Sequence, residues 1–371
     1  MIFTGQGLND MKKKFRISFI IPFTYKTGGI AVVLEYYRQL TGMGYNVNIF
    51  YPIFPYGEHL NSIPFWKRFL IKLKILLVNI VKFKRTISHF AEDIPVKPVI
   101  KIRNIFIPDA DAVIATAWPT AYDAAKLSPE KGRKFYFVQG YEIWHGNIKN
   151  VDDSYRLPLN IITIAPWLTD LMKNKFNRND VTEIHNGIRL DKFYPPDTKN
   201  FDRPSILLLA SDLELKGTRD AIDALTVVKG RYPQLEIKMF GMCARPVTTL
   251  DFEYHQNPSY EKLLSLYQNS SIFISPSHNE GWHLPPMEAM ACKCAVVATC
   301  VGCIPTLNNG QNMILAEIKS PPSIAAGVIK LLENTVLTEN IALQGLKSVQ
   351  ELDWSKSAFT LIETLSAKTA E

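Results

Sequence analysis

The sequence predicts short apolar strands that alternate with helices along most of this chain, and this alternating pattern occurs once in each half. In the first half, residues 15–22 form a predicted buried strand, residues 30–43 a helix and residues 47–51 the next strand. Such a βαβ unit implies parallel strands joined by a right-handed crossover. Further strands are predicted at residues 112–115, 134–138 and 160–164.

The alternation stops in a segment rich in turn-forming residues, 184–204, and then restarts. The second round has predicted strands at 205–210, 236–240, 271–275 and 295–299, and helices at 218–229, 260–268 and from 285 onward. A chain of 371 residues is also too long for one ordinary core. We therefore predict an α/β protein of two doubly wound, Rossmann-like domains, whose ligands bind at the carboxyl ends of the strands.

Composition narrows the function classes. Hydrophobic residues make up 47% of the chain and charged residues 21%, which is typical of a folded globular protein. A formal net charge of +7 favours an anionic partner: a phosphorylated small molecule, an anionic lipid surface or nucleic acid. The sequence has no recognisable secretory signal and no apolar run of about 18 residues. We expect a cytoplasmic protein without a spanning helix, whose first ten residues are dispensable.

The five cysteines allow two interpretations. They are Cys243, Cys292, Cys294, Cys300 and Cys303, and their odd number argues against a disulfide framework. The last four follow a C-x-C-x5-C-x2-C spacing, which is compatible with a zinc site. However, they span a predicted helix end, a strand and a loop, which would scatter the sulfur atoms. Packing in the core is therefore the favoured role.

Residues 65–85 form a predicted basic amphipathic helix. Its apolar and aromatic residues share one face, and its basic residues lie elsewhere: Lys67, Arg68, Lys72, Lys74, Lys82 and Arg85. This composition is found in helices that bind a membrane interface. The alternative is a helix that packs on the first domain with its lysines in water, because amphipathicity is common to most surface helices.

One stretch in the second half combines a strand end, a loop with a glutamate and a helix start. Pro285 is suited to the first turn of a helix, so the backbone N–H groups near His283 and Leu284 are expected to be free for an anion such as a diphosphate. Glu280 in the loop can meet sugar hydroxyls, and Glu288 can accept two ribose hydroxyls. Alternatively, both glutamates serve only the helix dipole.

The spacing Glu280-x7-Glu288, with Gly281 and the following P-x-x-E-A-M-A-C, resembles the donor-binding signature of the family 4 retaining glycosyltransferases. These enzymes have the GT-B fold of two Rossmann-like domains. Five further segments resemble that family in the same order: residues 27–30 (TGGI), 185–188 (HNGI), 215–217 (LKG), 301–305 (VGCIP) and 354–355 (WS). The resemblance covers nearly the whole chain.

The resemblance implies an acceptor-binding domain at 1–185, joined by a returning C-terminal helix at 355–371, and a nucleotide-sugar-binding domain at 186–354, with the donor in the cleft between them. It implies Glu280 and Lys216 as catalytic residues. The implied donor-binding residues are Gly28, Gly29, Gly217, Gly281, Trp282, His283, Leu284 and Glu288. The implied acceptor-side residues are Gln139, Glu142 and His145. No cofactor is implied other than the nucleoside diphosphate sugar that is the donor substrate.

The chain departs from the family pattern at several positions. An arginine that usually clamps the diphosphate is missing from residues 210–214, so Lys216 would carry more of that charge, aided by Arg219 or Arg245. His283 replaces a glycine and is expected at the donor sugar. Thr306 replaces a glutamate. The motifs name neither the base, the sugar nor the acceptor.

The family's reaction is retaining, and a diphosphate oxygen is thought to take the acceptor proton. The helix start and Lys216 would supply the positive charge without a metal ion. Asp109 and Asp111 mimic an Asp-x-Asp metal motif, but we interpret them as part of a turn. The expected product is a glycan or lipid-linked intermediate of surface polysaccharide. Three alternatives remain: a sugar-nucleotide epimerase, a phosphorylase-like or starch synthase-like enzyme, and a non-catalytic nucleotide-sugar-binding protein.

Overall fold

The computed structural model describes residues 15–25, 27–54, 56, 85–89, 92–143, 147–308 and 310–367. These residues divide into two compact units. The described residues up to Asn186, together with those from Trp354 onward, form the first unit, and Gly187–Asp353 form the second. The boundaries predicted from the sequence lie after residues 185 and 354.

The first unit is built on a sheet whose described strands have the order β3-β4-β2-β1-β5-β6-β7-β8. Neighbouring strands are parallel except for β3 and β4, which form an antiparallel pair. The strands are β1 (Arg16–Ile20), β2 (Asn46–Pro52), β3 (Arg85–His89), β4 (Glu92–Val99), β5 (Ala112–Ala115), β6 (Arg133–Val138), β7 (Asn160–Thr163) and β8 (Thr182–Glu183). Their central strands are apolar runs with both faces covered, as parallel sheets require.

The described helices of the first unit that precede the second unit are α1 (Gly28–Gly42), α2 (Trp118–Ala125), α3 (Ile148–Ser154) and α4 (Pro166–Phe176). The helix predicted at residues 30–43 begins earlier in the structure, since Gly28 already begins α1. Thr27 explains the early start, because its Oγ1 accepts a hydrogen bond from the N–H of Ile30 at 3.3 Å and so caps the helix. The chain order reverses between β1 and β5, which places a ligand-binding crevice at their carboxyl ends.

The second unit has a sheet of parallel strands in the order β11-β10-β9-β12-β13-β14. The strands are β9 (Ser205–Leu209), β10 (Glu236–Gly241), β11 (Glu253–Gln256), β12 (Ile272–Ser275), β13 (Ala295–Thr299) and β14 (Ile314–Ala316). The helices are α5 (Thr218–Arg231), α6 (Tyr260–Gln268), α7 (Leu284–Ala291), α8 (Ile304–Leu307), α9 (Pro321–Leu332) and α10 (Thr335–Gln350). Here the order reverses between β9 and β12. The predicted fold class, two doubly wound α/β parts, is confirmed.

The last described helix, α11 (Trp354–Ala367), belongs to the first unit and packs against α1. Trp354 is buried, and its ring meets that of Tyr36 edge to face with centroids 5.3 Å apart. Ser357 Oγ donates to the carbonyl of His185 at 2.7 Å. The chain therefore returns to its first unit after completing the second.

Two features of the sequence analysis lie outside the described residues. These are the amphipathic segment 65–85, apart from its last residue, which begins β3, and His145. Within the part of the chain that is described, no helix is both long enough and apolar enough to cross a membrane.

The cysteines occupy scattered positions. All five are free thiols, and Cys292, Cys294 and Cys303 are buried whereas Cys300 is exposed. Cys294 Sγ donates to the carbonyls of Tyr267 and Ser270 at 3.1 and 3.2 Å. Burial raises the pKa of the buried thiols, which keeps them protonated. Among the described residues, no group of three or more His, Cys, Asp or Glu side chains could hold a metal ion.

Candidate functional site

The candidate site of the second unit lies where β9 and β12 end side by side. The loop after β9 carries Lys216 and Gly217, and the loop after β12 carries Glu280 and leads into α7. Because these strands are parallel neighbours at the reversal of strand order, their loops meet at one edge of the sheet. The sequence motifs are therefore brought together by topology.

Lys216 and Glu280 form the central ion pair of this site. Lys216 Nζ lies 2.7 and 2.8 Å from the two carboxylate oxygens of Glu280, and Ser277 Oγ donates to Oε1 at 2.8 Å. The Glu280 side chain is 10% exposed and that of Lys216 is 26% exposed. Lys216 therefore retains donor capacity toward solvent, where an anion could bind.

The charge states at this pair are set by burial and by neighbours. Burial would raise the pKa of Glu280, but interactions with His283 and Lys216 and hydrogen bonds from Lys216 and Ser277 outweigh it, and the pKa is lowered. Burial lowers the pKa of His283 to about 4, although its Nε2 is 3.3 Å from Glu280. At neutral pH the site thus holds the Glu280 side chain as a carboxylate and the His283 side chain as a neutral imidazole.

Gly217 allows the two loops to approach closely. Its φ is +65°, a left-handed conformation, and an added Cβ would lie 2.0 Å from the carbonyl oxygen of Pro276. His278 also joins the two loops. Its backbone N–H donates to the carbonyl of Leu215 at 2.7 Å, and its Nε2 donates to Asp220 at 2.6 Å. The first bond fixes the backbone next to Lys216, and the second joins the loop to the first turn of α5.

The start of α7 has the predicted form. His283 is its N-cap with φ +87°, and Pro285 lies in the first turn. The N–H groups of a first turn have no intrahelical acceptor, but Pro285 and Pro286 lack an N–H, so Leu284 supplies the first-turn N–H that can bind an anion. His283 is 7% exposed, and its Nε2 lies 3.0 Å from Ser275 Oγ. Trp282 is buried, and its indole N–H donates to Met287 Sδ at 3.1 Å, so its side chain packs rather than facing a ligand.

Glu288 lies one turn into α7 with its side chain partly exposed. Tyr267 Oη, at the end of α6, donates to Glu288 Oε2 at 2.8 Å. Burial raises the pKa of Glu288 to about 7 and outweighs the opposite effect of this bond. Beneath them, Lys199 Nζ donates to the carbonyls of Tyr267 and Cys292 at 3.0 and 2.7 Å. Tyr267 thus holds one carboxyl oxygen of Glu288 and leaves the other available to a ligand.

The loop after β13 folds back onto the Glu280 loop. Gly302 has φ +62°, and an added Cβ would lie 2.5 Å from the carbonyl oxygen of Trp282 and 2.9 Å from Glu280 Cβ. Cys303 Sγ donates to the carbonyl of His283 at 3.3 Å. This loop therefore packs against Gly281 and its neighbours and holds them in place.

Neither arginine expected to assist Lys216 is bonded to it. Arg219 pairs with Asp223 at 3.2 Å and its side chain is 82% exposed. Arg245 donates to the carbonyl of Phe252 at 2.9 Å and lies over that residue's ring.

In the first unit, the predicted residues gather at the carboxyl ends of β1, β5 and β6. A Cβ on Gly29 would lie 3.3 Å from Gln139 Nε2, which makes Gly29 and Gln139 neighbours, with Gly28 next to them. Glu142 Oε2 accepts the N–H of Trp118 at 2.8 Å, and burial raises the pKa of Glu142 to about 7. Gln139 Oε1 is buried and has no hydrogen-bond partner among the described residues.

Asp109 and Asp111 lie at the opposite edge, just before β5. Asp109 pairs with Lys131 at 2.8 Å, and Asp111 accepts the N–H of Arg16 at 2.6 Å, which ties the start of β1 to that of β5. Both therefore have structural partners, remote from the carboxyl edge.

Sequence reasoning missed three supporting residues of the second unit: Tyr267, His278 and Lys199. A buried tyrosine usually needs a partner for its hydroxyl, which is a signal that Tyr267 faces a polar group. No sequence signal pairs Lys199 with carbonyls more than sixty residues away.

Comparison with known proteins places this site in context. Residues 203–334 match the family model described as glycosyl transferases group 1. A curated relative from Campylobacter jejuni, N,N'-diacetylbacillosaminyl-diphospho-undecaprenol alpha-1,3-N-acetylgalactosaminyltransferase, is 27% identical over 220 residues, 54% of this chain and 58% of the relative. The chain thus spans a little over half of that relative. The capsular polysaccharide biosynthesis glycosyltransferase CapM of Staphylococcus aureus is 24% identical over 324 residues, 78% of this chain and 84% of CapM.

The fold also has solved counterparts. HepE from Anabaena, determined in complex with UDP and glucose, superposes with a TM-score of 0.67 at 13% identity, covering 95% of this chain and 99% of HepE. At this identity the likeness establishes the fold alone, and it agrees with the two doubly wound units described above.

Proposed function

We propose that this protein is a retaining glycosyltransferase that moves a sugar from a nucleoside diphosphate sugar to a glycan or lipid-linked acceptor. The observation that carries the proposal is the meeting of Lys216, Glu280 and the α7 start, with Glu288 one turn further on. This arrangement lies within the residues that match the group 1 glycosyltransferase model.

Each group has a distinct proposed role. The diphosphate binds Lys216 and the free N–H groups near Leu284, which stabilise the charge that develops as the sugar departs. The ionised Glu280 holds sugar hydroxyls and faces the positive charge that grows on the anomeric carbon. Glu288 accepts the ribose hydroxyls. A diphosphate oxygen takes the acceptor proton on the departing face, which gives retention without a protein base or a metal ion.

We place the acceptor hydroxyls at the crevice of the first unit. The unpartnered Oε1 of Gln139 accepts a hydrogen bond from a sugar hydroxyl there. Glu142 lies close by in sequence, with its Oε2 on the N–H of Trp118 and its other oxygen available. His145 remains a proposed member of this group.

Binding and turnover measurements with full-length protein test the roles. We expect Glu288→Ala and Lys216→Ala to weaken nucleoside diphosphate binding, and Glu280→Ala chiefly to lower turnover. A thermal-shift screen across nucleoside diphosphates ranks the bases, since a ligand at a hundred times its dissociation constant stabilises by about 2.7 kcal/mol. Equal loss of binding in all three variants would contradict the division of roles.

Product analysis tests the reaction itself. The anomeric configuration of the product, read by NMR, should match that of the donor. Activity should persist after chelation of divalent ions, because Lys216 and the α7 start supply the positive charge. An inverted product, or loss of activity in chelator with rescue by magnesium or manganese, would overturn these parts of the proposal.

A second candidate, a non-catalytic sugar-nucleotide-binding protein, is favoured by one observation. Asp212, within the stretch that lacks the expected arginine, carries a negative charge instead. Binding of the donor without transfer or hydrolysis, across a panel of acceptors, would support this candidate. Conversion of the donor to an epimer would identify the epimerase alternative.

We also propose that the enzyme works at the inner face of the cytoplasmic membrane through residues 65–85. Six basic residues near an anionic surface contribute roughly 1 kcal/mol each. Sedimentation with anionic liposomes should fall with salt and drop when Lys67, Arg68, Lys72 and Lys74 are changed to glutamine. Binding that is indifferent to lipid charge would remove this localisation and leave the transferase proposal intact.

A further inference from the structure

A cavity of about 710 Å³ lies in the first unit, and its lining includes none of Gly28, Gly29, Gln139 and Glu142, which we call the Gln139 group. It is lined by Pro52, Phe54, Tyr56, Lys101, Ile102, Arg103, Asn104, Ile105, Asp123, Lys126 and Leu127. These residues come from the end of β2, the segment after β4 and the end of α2. The volume is in the range of pockets that bind small ligands.

Three cations line this cavity: Lys101, Arg103 and Lys126. Across the described residues, none of the three forms an ion pair or a side-chain hydrogen bond. The lining contains one carboxylate, Asp123, which already accepts a hydrogen bond from Tyr56 Oη at 2.6 Å. The cavity therefore carries an excess of two positive charges with no internal partner to neutralise it.

The remaining walls are largely apolar, apart from Asn104, whose Oδ1 accepts the N–H of Ser128 at 2.9 Å. Pro52, Phe54 and Leu127 contribute to the lining, and Ile105 is 83% exposed at its edge. Next to the lining, Ile100 is 46% exposed. Large aliphatic side chains in water beside unpaired cations favour a ligand that joins an anionic group to a hydrocarbon chain.

We propose that this cavity binds the phosphate or diphosphate group of a lipid-linked acceptor, with Lys101, Arg103 and Lys126 on the oxygens and the first lipid units against Ile105. The inference rests on the proposed function, in which Lys216 already takes the diphosphate of the donor. The acceptor's anion then needs a separate cationic site. This cavity supplies one in the unit that we assign to the acceptor.

Calorimetry on the full-length protein with farnesyl diphosphate tests the assignment. The variant Lys101→Gln/Arg103→Gln/Lys126→Gln should weaken binding by at least about tenfold, since three charge-assisted contacts are removed. Lys101→Gln alone should weaken it measurably. Farnesol should not bind, because it lacks the anion. The thermal midpoint of each variant reports whether the fold is kept.

A matched control removes the same charge elsewhere. Lys173, Lys262 and Lys330 are exposed and unpaired in the described structure, and their triple change to glutamine should leave farnesyl diphosphate binding within about twofold. If both triple variants weaken farnesyl diphosphate binding equally, the effect comes from the net charge of the protein and the proposed site is wrong. Weakening by Lys216→Gln, or displacement by a nucleoside diphosphate, would place the ligand in the donor site instead.

Two further arms separate the sources of the anion. If the cavity variant loses binding to phosphatidylglycerol vesicles but keeps farnesyl diphosphate binding, the cavity contacts bilayer headgroups and the acceptor assignment is wrong. Nucleoside diphosphate binding is measured in the same variants. If Lys216→Ala leaves nucleoside diphosphate binding unchanged, the proposed donor site is wrong. Loss of farnesyl diphosphate binding in the cavity variant would still support the assignment of this cavity.

Discussion

At the scale of single residues, the raised pKa of Glu288 predicts a pH dependence for the proposed nucleotide-binding site. Its pKa of about 7 lies above the ordinary 4.5, so the carboxyl group is ionised only as the pH rises through neutrality. A ribose hydroxyl is bound best by the ionised form, and we expect nucleoside diphosphate affinity to increase between about pH 6 and 8. Calorimetry across this range measures it. The free energy of unfolding changes in the opposite direction. Between about pH 4.5 and 7 the Glu288 carboxyl group is ionised in the unfolded protein but still protonated in the folded one, so raising the pH through this range lowers the stability of the fold.

Two variants isolate this titration. Glu288→Gln should abolish the protein's part of the pH dependence and leave only that of the nucleotide phosphate. Tyr267→Phe removes the hydrogen bond that favours ionisation, so the midpoint should move upward by roughly one unit. A midpoint unchanged in Tyr267→Phe, with the fold intact, would show that Tyr267 does not position Glu288.

The ion pair of Lys216 and Glu280 makes a different prediction, about stability. Lys216→Met strands a carboxylate that is 10% exposed, which should destabilise the second unit by about 1–3 kcal/mol. Adding Glu280→Gln removes the stranded charge, so the double variant should be more stable than the single one. Hydrogen exchange in residues 187–353 measures both. A double variant less stable than Lys216→Met would mean that the pair is not coupled as the geometry indicates.

At the scale of elements, the junction between the 210–217 loop and α5 depends on one glycine. Gly217→Ala places a Cβ against the carbonyl of Pro276 and strains a left-handed residue, so we expect a loss above about 2 kcal/mol. Nucleotide binding should fall with it, because Lys216 is adjacent. A Cβ added at Gly230, in the same helix, would have no other atom within 4 Å apart from the backbone of that helix, and Gly230→Ala should stabilise by about 0.5–1 kcal/mol. Equal effects of the two substitutions, read by hydrogen exchange of α5, would contradict this account.

Individual helices and strands also show which parts of the fold can be predicted from the sequence. Strands β5 and β13 and helix α6 have the bounds that their apolar patterns and caps predict, because local signals suffice there. The hairpin of β3 and β4 was not predicted. Pro95 and Pro98 lie in β4 and lack an N–H for the ladder, so the segment does not resemble a strand until β3 and β2 supply its partners.

The candidate site divides in the same way. Lys216, Glu280 and Glu288 could be predicted, because each follows a strand or opens a helix in a recognisable motif. Their supports could not, because the Tyr267 and Lys199 contacts join positions that only the folded sheet brings together. The tight packing of Trp282 was also hidden, since an aromatic residue in a motif can face a ligand or the core equally well.

At the scale of the whole molecule, each unit has its own reversal of strand order and its own polar group at the carboxyl edge. The first has the Gln139 group and the cationic cavity, and the second has Lys216, Glu280 and Glu288. The proposed transfer reaction needs two substrate sites of different chemistry, and we assign the acceptor to the first unit and the donor to the second. This proposed assignment rests on the two reversals of strand order and not on any one motif.

Because α11 completes the first unit after the chain has built the second, its loss should affect only the first. Trp354→Ala removes a side chain that is 3% exposed and packed on Tyr36, which should cost about 3–5 kcal/mol. Phe359, on the same helix, is 57% exposed, and Phe359→Ala should change stability by no more than about 0.5 kcal/mol. Hydrogen exchange should accelerate in α1 in the Trp354 variant, whereas residues 187–353 keep their protection and nucleoside diphosphate affinity is retained. Faster exchange throughout the second unit would show that the two units do not unfold separately, and an unchanged α1 would show that Trp354 does not anchor the returning helix.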